Sequence, residues 1–205
     1  MARMTITQWV QNQLAVAEKQ WELCVDATAG KGNDTLFLCK NSKAGGRVLA
    51  FDIQEAALET TRELLEKHGI KVENDAEATE FGSTEIARAG SAKLVLDGHE
   101  NMDRYLQEET VDVMMFNLGY LPGGDHSLAT TPSTTIEAIQ KGLTFLKKGG
   151  MMSVCIYSGG DSGFEERDAV LEFLAGLDNK AYTVVVSRFF NKPNHPPIPV
   201  LIMKH

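Results

Sequence analysis

A glycine-containing loop between two apolar runs is the feature that most constrains how this chain can fold. Residues 26–35 read Asp-Ala-Thr-Ala-Gly-Lys-Gly-Asn-Asp-Thr, directly after the apolar run Leu23-Cys24-Val25. A helix-like run follows, and a second apolar run closes on Asp52. A strand, a glycine turn, a helix and a second strand that ends in an acid are typical of nucleotide-cofactor sites. Glycines let the backbone approach the ligand there, and we expect Asp52 to accept hydrogen bonds from both ribose hydroxyls.

The spacing of the loop glycines distinguishes between cofactors. A dinucleotide site uses Gly-x-Gly-x-x-Gly, in which the third glycine lets the helix pack closely on the strand near a pyrophosphate. Here Gly30-x-Gly32 is followed by Asn33-Asp34-Thr35, and Asp26 stands at the strand end. A carboxylate beside the loop would repel a pyrophosphate but would suit S-adenosylmethionine, which carries a sulfonium and an ammonium and no phosphate. S-adenosylmethionine is therefore predicted, with a ligand-free turn and a nicotinamide oxidoreductase as the alternatives.

Composition narrows the class of protein. The chain has 205 residues, 43% hydrophobic and 23% charged, which is ordinary for a globular protein and predicts one α/β domain over residues 1–205. No apolar stretch approaches the roughly 20 residues that span a bilayer, and the N-terminus has no apolar signal core. The three cysteines, Cys24, Cys39 and Cys155, lack metal-ligand spacing and are expected to be buried thiols, which favours the cytoplasm.

Strand-like and helix-like runs alternate along the chain, which predicts a parallel doubly wound sheet. Strands are predicted at residues 22–26, 47–52, 93–97, 111–116, 151–157, 182–187 and 200–204. Helices are predicted at residues 5–20, 34–40, 55–67, 133–146 and 164–177, with another that ends near residue 107. The last two strands have no helix between them and predict an antiparallel edge hairpin. This α/β pattern of seven mostly parallel strands resembles the class I, Rossmann-like methyltransferase fold. Residues 73–92 are predicted to be an insertion close to the cofactor side, favoured as a surface loop, with a lid as the alternative.

The end of the fourth predicted strand carries the candidate catalytic residues, because ligands of open α/β sheets bind outside the carboxyl ends of the strands. Residues 117–125 read Asn-Leu-Gly-Tyr-Leu-Pro-Gly-Gly-Asp. This segment resembles the Asn-Pro-Pro-Tyr loop of methyltransferases that act on amino nitrogens, with Leu-Gly in place of the prolines. We expect the Asn117 carbonyl to orient an amine and Tyr120 to stack on a planar base or on adenine. The alternative is that Asn117 caps a turn and Tyr120 packs.

A cationic amine must lose a proton before it attacks, so the predicted chemistry needs a nearby base. Asp125 and His126 follow the loop glycines, and either could take that proton. His99, after the third predicted strand, could also act as this base. Class I sites usually place the residue after this strand near the adenine, so Gly98 and His99 are assigned to cofactor contact.

Longer segments resemble a known family. Residues 26–38, 50–54 and 116–125 are similar to the small bacterial methyltransferases long labelled as rRNA methylases. Members of this family methylate the aminomethyl group of 5-aminomethyl-2-thiouridine at the wobble position of tRNA. The similarity continues through residues 133–139 and 168–173 to residues 194–197. The resemblance therefore implies an S-adenosylmethionine-dependent N-methyltransferase with tRNA as its partner and substrate.

The loop residues Asp26, Gly30 and Gly32 are predicted to bind the cofactor. The resemblance implies roles for further residues. Cofactor contacts are implied at Lys31, Asn33, Asp52, Gln54, Gly98 and His99. Substrate-side roles are implied at Asn117, Tyr120 and Asp125.

Two departures from the family pattern are visible. Lys31 stands where the family usually has Asn, and we expect it to pair with Asp26 or with the cofactor carboxylate. Residues 157–161, Tyr-Ser-Gly-Gly-Asp, stand where the family usually has a histidine-containing turn.

Several alternatives for the acceptor remain open. The net charge of −8 weighs against a large nonspecific grip on nucleic acid but leaves room for a local basic patch. Residues 147–148 and 188–192 are the local candidates, and each also fits a solvated face. The same chemistry on rRNA or on a small-molecule amine is one alternative, and a catalytically altered S-adenosylmethionine-binding homologue is another. A homodimer is expected only because many enzymes of this size form one.

Overall fold

The computed structural model describes residues 4–15, 21–73, 90–118, 132–157, 163–193 and 195–205. These residues form five α-helices, one 3-10 helix and eight strands. The helices are α1 (Ile6–Leu14), α2 (Asn33–Asn41), α3 (Glu55–Lys67), α4 (Pro132–Phe145) and α5 (Gly163–Ala175), with the 3-10 helix at His99–Arg104. The strands are β1 (Trp21–Asp26), β2 (Ser42–Asp52), β3 (Val72–Glu73), β4 (Ser91–Leu96), β5 (Val111–Leu118), β6 (Leu146–Ile156), β7 (Tyr182–Val186) and β8 (Ile198–Lys204).

All eight strands form one sheet in the order β3-β4-β2-β1-β5-β6-β8-β7. Strands β1 to β6 pair in parallel, whereas β8 runs antiparallel to both β6 and β7. The predicted mostly parallel sheet with an antiparallel edge hairpin is therefore confirmed. Order along the sheet reverses between β1 and β5, which makes this the switch point where ligands of open sheets bind.

The sheet has one strand more than the seven predicted, because β3 adds a short edge beside β4. Arg47 forms an ion pair with Glu73 at 2.6 Å, and the Ser91 hydroxyl donates to the same carboxylate at 2.7 Å. Burial opposes ionisation of Glu73, but these hydrogen bonds outweigh it and lower its pKa. Both ends of the predicted insertion at residues 73–92 thus belong to the sheet, Glu73 in β3 and Ser91 and Ala92 in β4, while residues 74–89 lie outside the described part of the chain.

Strands β2 and β6 begin earlier than predicted, at Ser42 and Leu146 instead of residues 47 and 151. Each starts with one pair to its neighbour, then shifts register before the regular ladder. The shift follows a glycine in the left-handed region, Gly45 at φ 77° and Gly149 at φ 79°. Glycine pairs that mark turns in the sequence therefore form bulges inside strands.

The central strands are buried on both faces, as parallel strands usually are. On β5, Met114 and Phe116 face the core under α4 and α5, whereas Val113 and Met115 face the core under α1 to α3. Helix α1 begins at a capping box in which Thr5 and Gln8 satisfy each other's backbone N–H groups. No helix in the described ranges is long and apolar enough to cross a membrane.

Candidate active site

The carboxyl ends of β1, β2, β4 and β5 bring the predicted residues to one edge of the sheet. In register, Asp26 pairs with Met115, and Asp52 pairs with Leu96. His99 follows β4, and Asn117 is the penultimate residue of β5. Residues that lie 91 positions apart along the chain, from Asp26 to Asn117, thus stand at one edge of the sheet beside the glycine loop.

The glycine loop is fastened to the end of β2 through Asp52. One carboxylate oxygen accepts the Gly30 N–H at 2.9 Å, and the other accepts the Gln54 N–H at 2.9 Å. Each carboxylate oxygen has a second lone pair, so Asp52 can still accept from ribose hydroxyls. Gly32 has φ 75°, and a Cβ there would lie 3.0 Å from Thr61 on α3, so this position requires glycine.

Asp26 is fully buried and holds the loop from inside. Its Oδ1 accepts the Thr28 N–H at 3.1 Å, and its Oδ2 accepts the Thr35 hydroxyl at 2.7 Å. Burial, and next the charge of Asp34, raise the pKa of Asp26 to about 7. The expected pair between Lys31 and Asp26 is wrong, because the Lys31 side chain is exposed while both Asp26 oxygens face the protein interior.

Asp34 connects Asn117 to the first helix and was not predicted as a site residue. It lies in the first turn of α2, where a negative charge is favourable, and is only 5% exposed. Its Oδ2 accepts the Asn117 Nδ2 at 2.6 Å, and its Oδ1 accepts the Gln11 Nε2 at 2.6 Å. Burial raises the pKa of Asp34 against the effect of these two hydrogen bonds. The sequence signal that could have identified Asp34 was the presence of an acid two residues after the second loop glycine.

These contacts fix the direction of the Asn117 amide. Its backbone N–H donates to the Thr28 hydroxyl at 2.8 Å, and its side-chain Nδ2 is occupied by Asp34. The side-chain Oδ1 is therefore the atom that remains available to accept an N–H group. The predicted orienting carbonyl thus has a defined structural support, although its contact with an amine stays a prediction.

His99 has an unused hydrogen-bond acceptor at this edge of the sheet. Its Nδ1 lies 3.2 Å from the Ala27 carbonyl oxygen, which can only accept, so Nδ1 carries the proton. Burial lowers the pKa of His99 and favours this neutral form. The Nε2 atom is buried and has no hydrogen-bond partner among the described residues. The imidazole and the Phe116 ring pack in a T-shaped arrangement, with ring centroids 5.8 Å apart.

The turn between β4 and His99 is held by Asp97. Its carboxylate accepts from the Gly98 N–H, Asn101, Arg104 and Tyr105 at 2.8 to 3.2 Å. Burial opposes ionisation, but the hydrogen bonds prevail and lower the pKa of Asp97. This residue fixes Gly98 and His99 in place and was also missed from the sequence.

The side chains of three predicted residues take no part in the contacts described. Lys31 and Asn33 are exposed just before and at the start of α2, and Gln54 is half-buried and contributes its backbone N–H to Asp52. Tyr120, Asp125, His126 and the turn at residues 158–161 lie outside the described residues.

Fold and site together define a class I methyltransferase architecture, with Asp52 and His99 beside the glycine loop and an amide at the end of β5. A family model described as "Putative rRNA methylase" matches residues 48–203. The chain therefore belongs to that family.

A curated relative and two solved structures give more detail. The chloroplastic tRNA (mnm(5)s(2)U34)-methyltransferase of Arabidopsis thaliana is 35% identical over 178 residues, 84% of this chain and 60% of the relative. This chain thus spans about three fifths of that protein's length. The crystal structure of a "putative rRNA-methylase" from Clostridium thermocellum is 40% identical with TM-score 0.83, each chain being covered to 100%. A "putative methyltransferase" from Streptococcus mutans, solved in complex with SAH, is 36% identical with TM-score 0.79, again with 100% of both chains covered.

Proposed function

We propose that this protein is an S-adenosylmethionine-dependent methyltransferase that N-methylates the 5-aminomethyl group of wobble 2-thiouridine in tRNA. The observation that carries the choice of nitrogen is the Asn117 amide, whose Nδ2 is held by Asp34 so that Oδ1 is free to accept. An amine offers N–H groups to such an acceptor, whereas a carbon acceptor offers none. The name of the Arabidopsis relative supports the same modified nucleoside.

S-adenosylmethionine is the cofactor that the comparisons support, since the Streptococcus mutans structure contains SAH. The residues present also fit it. Asp52 has lone pairs left for ribose hydroxyls, and the unpartnered His99 Nε2 is a buried acceptor suited to an adenine amino group or a hydroxyl. The exposed Lys31 is free to turn toward the cofactor carboxylate, which keeps its predicted cofactor role as part of the proposal.

When bound, S-adenosylmethionine supplies a methyl group on a cationic sulfur, which departs as a neutral thioether. Asn117 Oδ1 accepts one N–H of the acceptor amine and thereby points the nitrogen lone pair along the transfer direction. As the N–C bond forms and the S–C bond breaks, positive charge moves to nitrogen, where the amide oxygen stabilises it. The acceptor attacks as a neutral amine, and Asp125 and His126 remain the predicted bases that take its proton before the transfer.

Nucleoside mass spectrometry of tRNA that carries the aminomethyl precursor tests the proposal. Incubation with protein and S-adenosylmethionine should convert 5-aminomethyl-2-thiouridine into its methylaminomethyl form. Protein that binds S-adenosylmethionine by calorimetry yet makes no such product would contradict it.

Substitution Asn117→Ala tests the assigned role of the amide. Turnover should fall much more than cofactor affinity, because Asn117 contacts the acceptor and not the cofactor in this mechanism. Asn41→Ala is a matched control, since Asn41 binds the Phe37 carbonyl at the far end of α2. Equal losses of turnover and cofactor affinity in Asn117→Ala would contradict the assigned role.

The family description favours rRNA as a second candidate substrate. Methyl transfer to rRNA instead of precursor tRNA would identify it. The homodimer, the single-domain organisation and the cytoplasmic location stay predictions, the last because the Arabidopsis relative is chloroplastic by its description.

A further inference from the structure

A basic, aromatic groove lies between α5 and the connection from β7 to β8. Its volume is about 610 Å³, within the usual range for sites that hold a ligand about the size of a nucleotide. Basic and aromatic side chains dominate the lining. They are Arg167, Arg188, Phe189, Phe190, Lys192 and His195.

The charge of this groove differs in sign from that of the whole chain. The chain carries a net charge of −8, yet the described lining residues include three cations, Arg167, Arg188 and Lys192, against the single acid Asp168. Asp168 pairs with Arg167 at 2.6 Å, which leaves the other two cations without an ion pair to a described residue. Such a local excess of positive charge is complementary to a polyanion.

The two phenylalanines of the groove differ in exposure, and the exposed one has a ring face available for stacking. Phe190 is fully exposed, although exposure of a large apolar ring is unfavourable. Its neighbour Phe189 is fixed instead, because it packs edge-on against Trp9 at 5.8 Å and carries the Lys192 ammonium 4.6 Å from its ring centre. Exposed rings beside cations are the arrangement with which proteins hold single-stranded nucleic acid, since every base offers a face for stacking.

The groove opens at the same edge of the sheet as Asn117. In cross-strand register, Asn117 pairs with Cys155 of β6, which pairs with Pro199 of β8. Two strand spacings, about 10 Å, thus separate Asn117 from the end of the groove. Because β8 runs antiparallel, the connection before it returns to the carboxyl edge, where an RNA strand at Asn117 would continue.

We infer that this groove binds the single-stranded segment next to the methylated nucleoside, with Phe190 stacking on a base and Arg188 and Lys192 contacting phosphates. The inference rests on the proposed function for the identity of the RNA. It adds where the rest of the substrate lies. A duplex does not fit this arrangement, because its bases are already stacked and offer no free face to Phe190.

Fluorescence anisotropy with a labelled RNA hairpin that has a single-stranded loop tests the groove without any methyl transfer. Phe190→Ala should weaken hairpin binding about 5- to 150-fold, the range expected for one stacked base. Phe190→Trp should retain binding. Thermal unfolding should stay unchanged in both variants, because the side chain is fully exposed.

The cations are tested by salt dependence. Arg188→Gln should reduce the slope of log affinity against log salt by about 0.7, as expected for one lost phosphate contact on a single strand. Lys67→Ala is the matched control, because Lys67 is exposed at the last turn of α3, which leads back to the amino edge of the sheet. Its slope should equal that of the unmodified protein.

The outcomes separate this inference from the proposed function. Unchanged hairpin affinity in Phe190→Ala and Arg188→Gln would overturn the groove even if precursor tRNA is methylated. Loss of affinity in those variants would support it even if no RNA is methylated. Equal binding of a blunt duplex, or equal competition by polyglutamate, would mean attraction by charge alone and would also overturn it.

Discussion

The direction of the Asn117 amide depends on Asp34, and Asp34→Asn tests that dependence. A carboxylate at position 34 only accepts, so it receives the N–H groups of both Asn117 and Gln11, each at 2.6 Å. An amide at position 34 offers one acceptor and one donor group. One of the two neighbouring side-chain amides, Asn117 or Gln11, must therefore flip and present its oxygen to that donor. A flipped Asn117 has its Oδ1 bound to residue 34 and no longer available to the acceptor amine.

The size of the effect follows from the hydrogen bond that is lost. A hydrogen bond to a charged group contributes roughly 1.5–3 kcal/mol and a neutral one roughly 0.5–1.5 kcal/mol. The preference for the productive orientation therefore falls by about 1–1.5 kcal/mol, which corresponds to a turnover about 5- to 15-fold lower. Acidification should reproduce part of this loss, because burial raises the pKa of Asp34 and protonation also creates a donor there.

Single-turnover methyl transfer with labelled S-adenosylmethionine measures this effect, and calorimetry measures cofactor affinity, which should change little. Gln11→Ala is the matched control, because it removes the other hydrogen bond to Asp34 and leaves the Asn117 contact in place. Wild-type turnover in Asp34→Asn, together with an inactive Asn117→Ala, would refute the dependence of Asn117 on Asp34.

Three further predictions concern the cofactor side of the site. Burial and Asp34 raise the pKa of Asp26 from 3.8 to about 7, so the wild type should lose stability relative to Asp26→Asn as pH rises across that window. Urea unfolding measures this, and a constant difference would contradict it. Gly32→Ala should cost about 1–2 kcal/mol in thermal unfolding, from its φ of 75° alone, and more through its contact with Thr61. Gly45 has a similar φ, but a Cβ there would contact nothing. An equal loss of stability in Gly45→Ala would therefore exclude a contribution from the Thr61 contact. His99→Phe keeps the packing but removes Nε2, so S-adenosylmethionine should bind about 10-fold more weakly while saturated turnover holds. Unchanged affinity would show that Nε2 faces no cofactor.

Much of the fold could be predicted because each signal is local. The apolar run of β5 and the missing helix before β8 report directly on burial and pairing. The predicted first residues of β2 and β6 were less accurate, because a glycine pair such as residues 45–46 has the same sequence signature in a turn and in a bulge. The short strand β3 was missed because it depends on the distant pair of Arg47 and Glu73.

The site was predictable to the extent that its residues stand at strand ends. Asp52, His99 and Asn117 are found at the predicted edge for that reason. The Asp34 contact could not be predicted, because it joins positions 83 residues apart through the pairing of β1 with β5. The direction of Lys31 was also beyond the sequence, since it depends on whether Asp26 faces the loop or the interior.

The switch point between β1 and β5 bears on how such a protein can diversify. The glycine loop and the ends of β2 and β4 lie on the β1 side, and the groove is built from α5 and the connection between β7 and β8 on the other. Exchange of residues 182–205 for those of a relative could alter substrate range while the cofactor half is inherited unchanged. Helix α1 is the exception, because Gln11 contacts Asp34 while Trp9 packs on Phe189. This helix would have to change together with the groove.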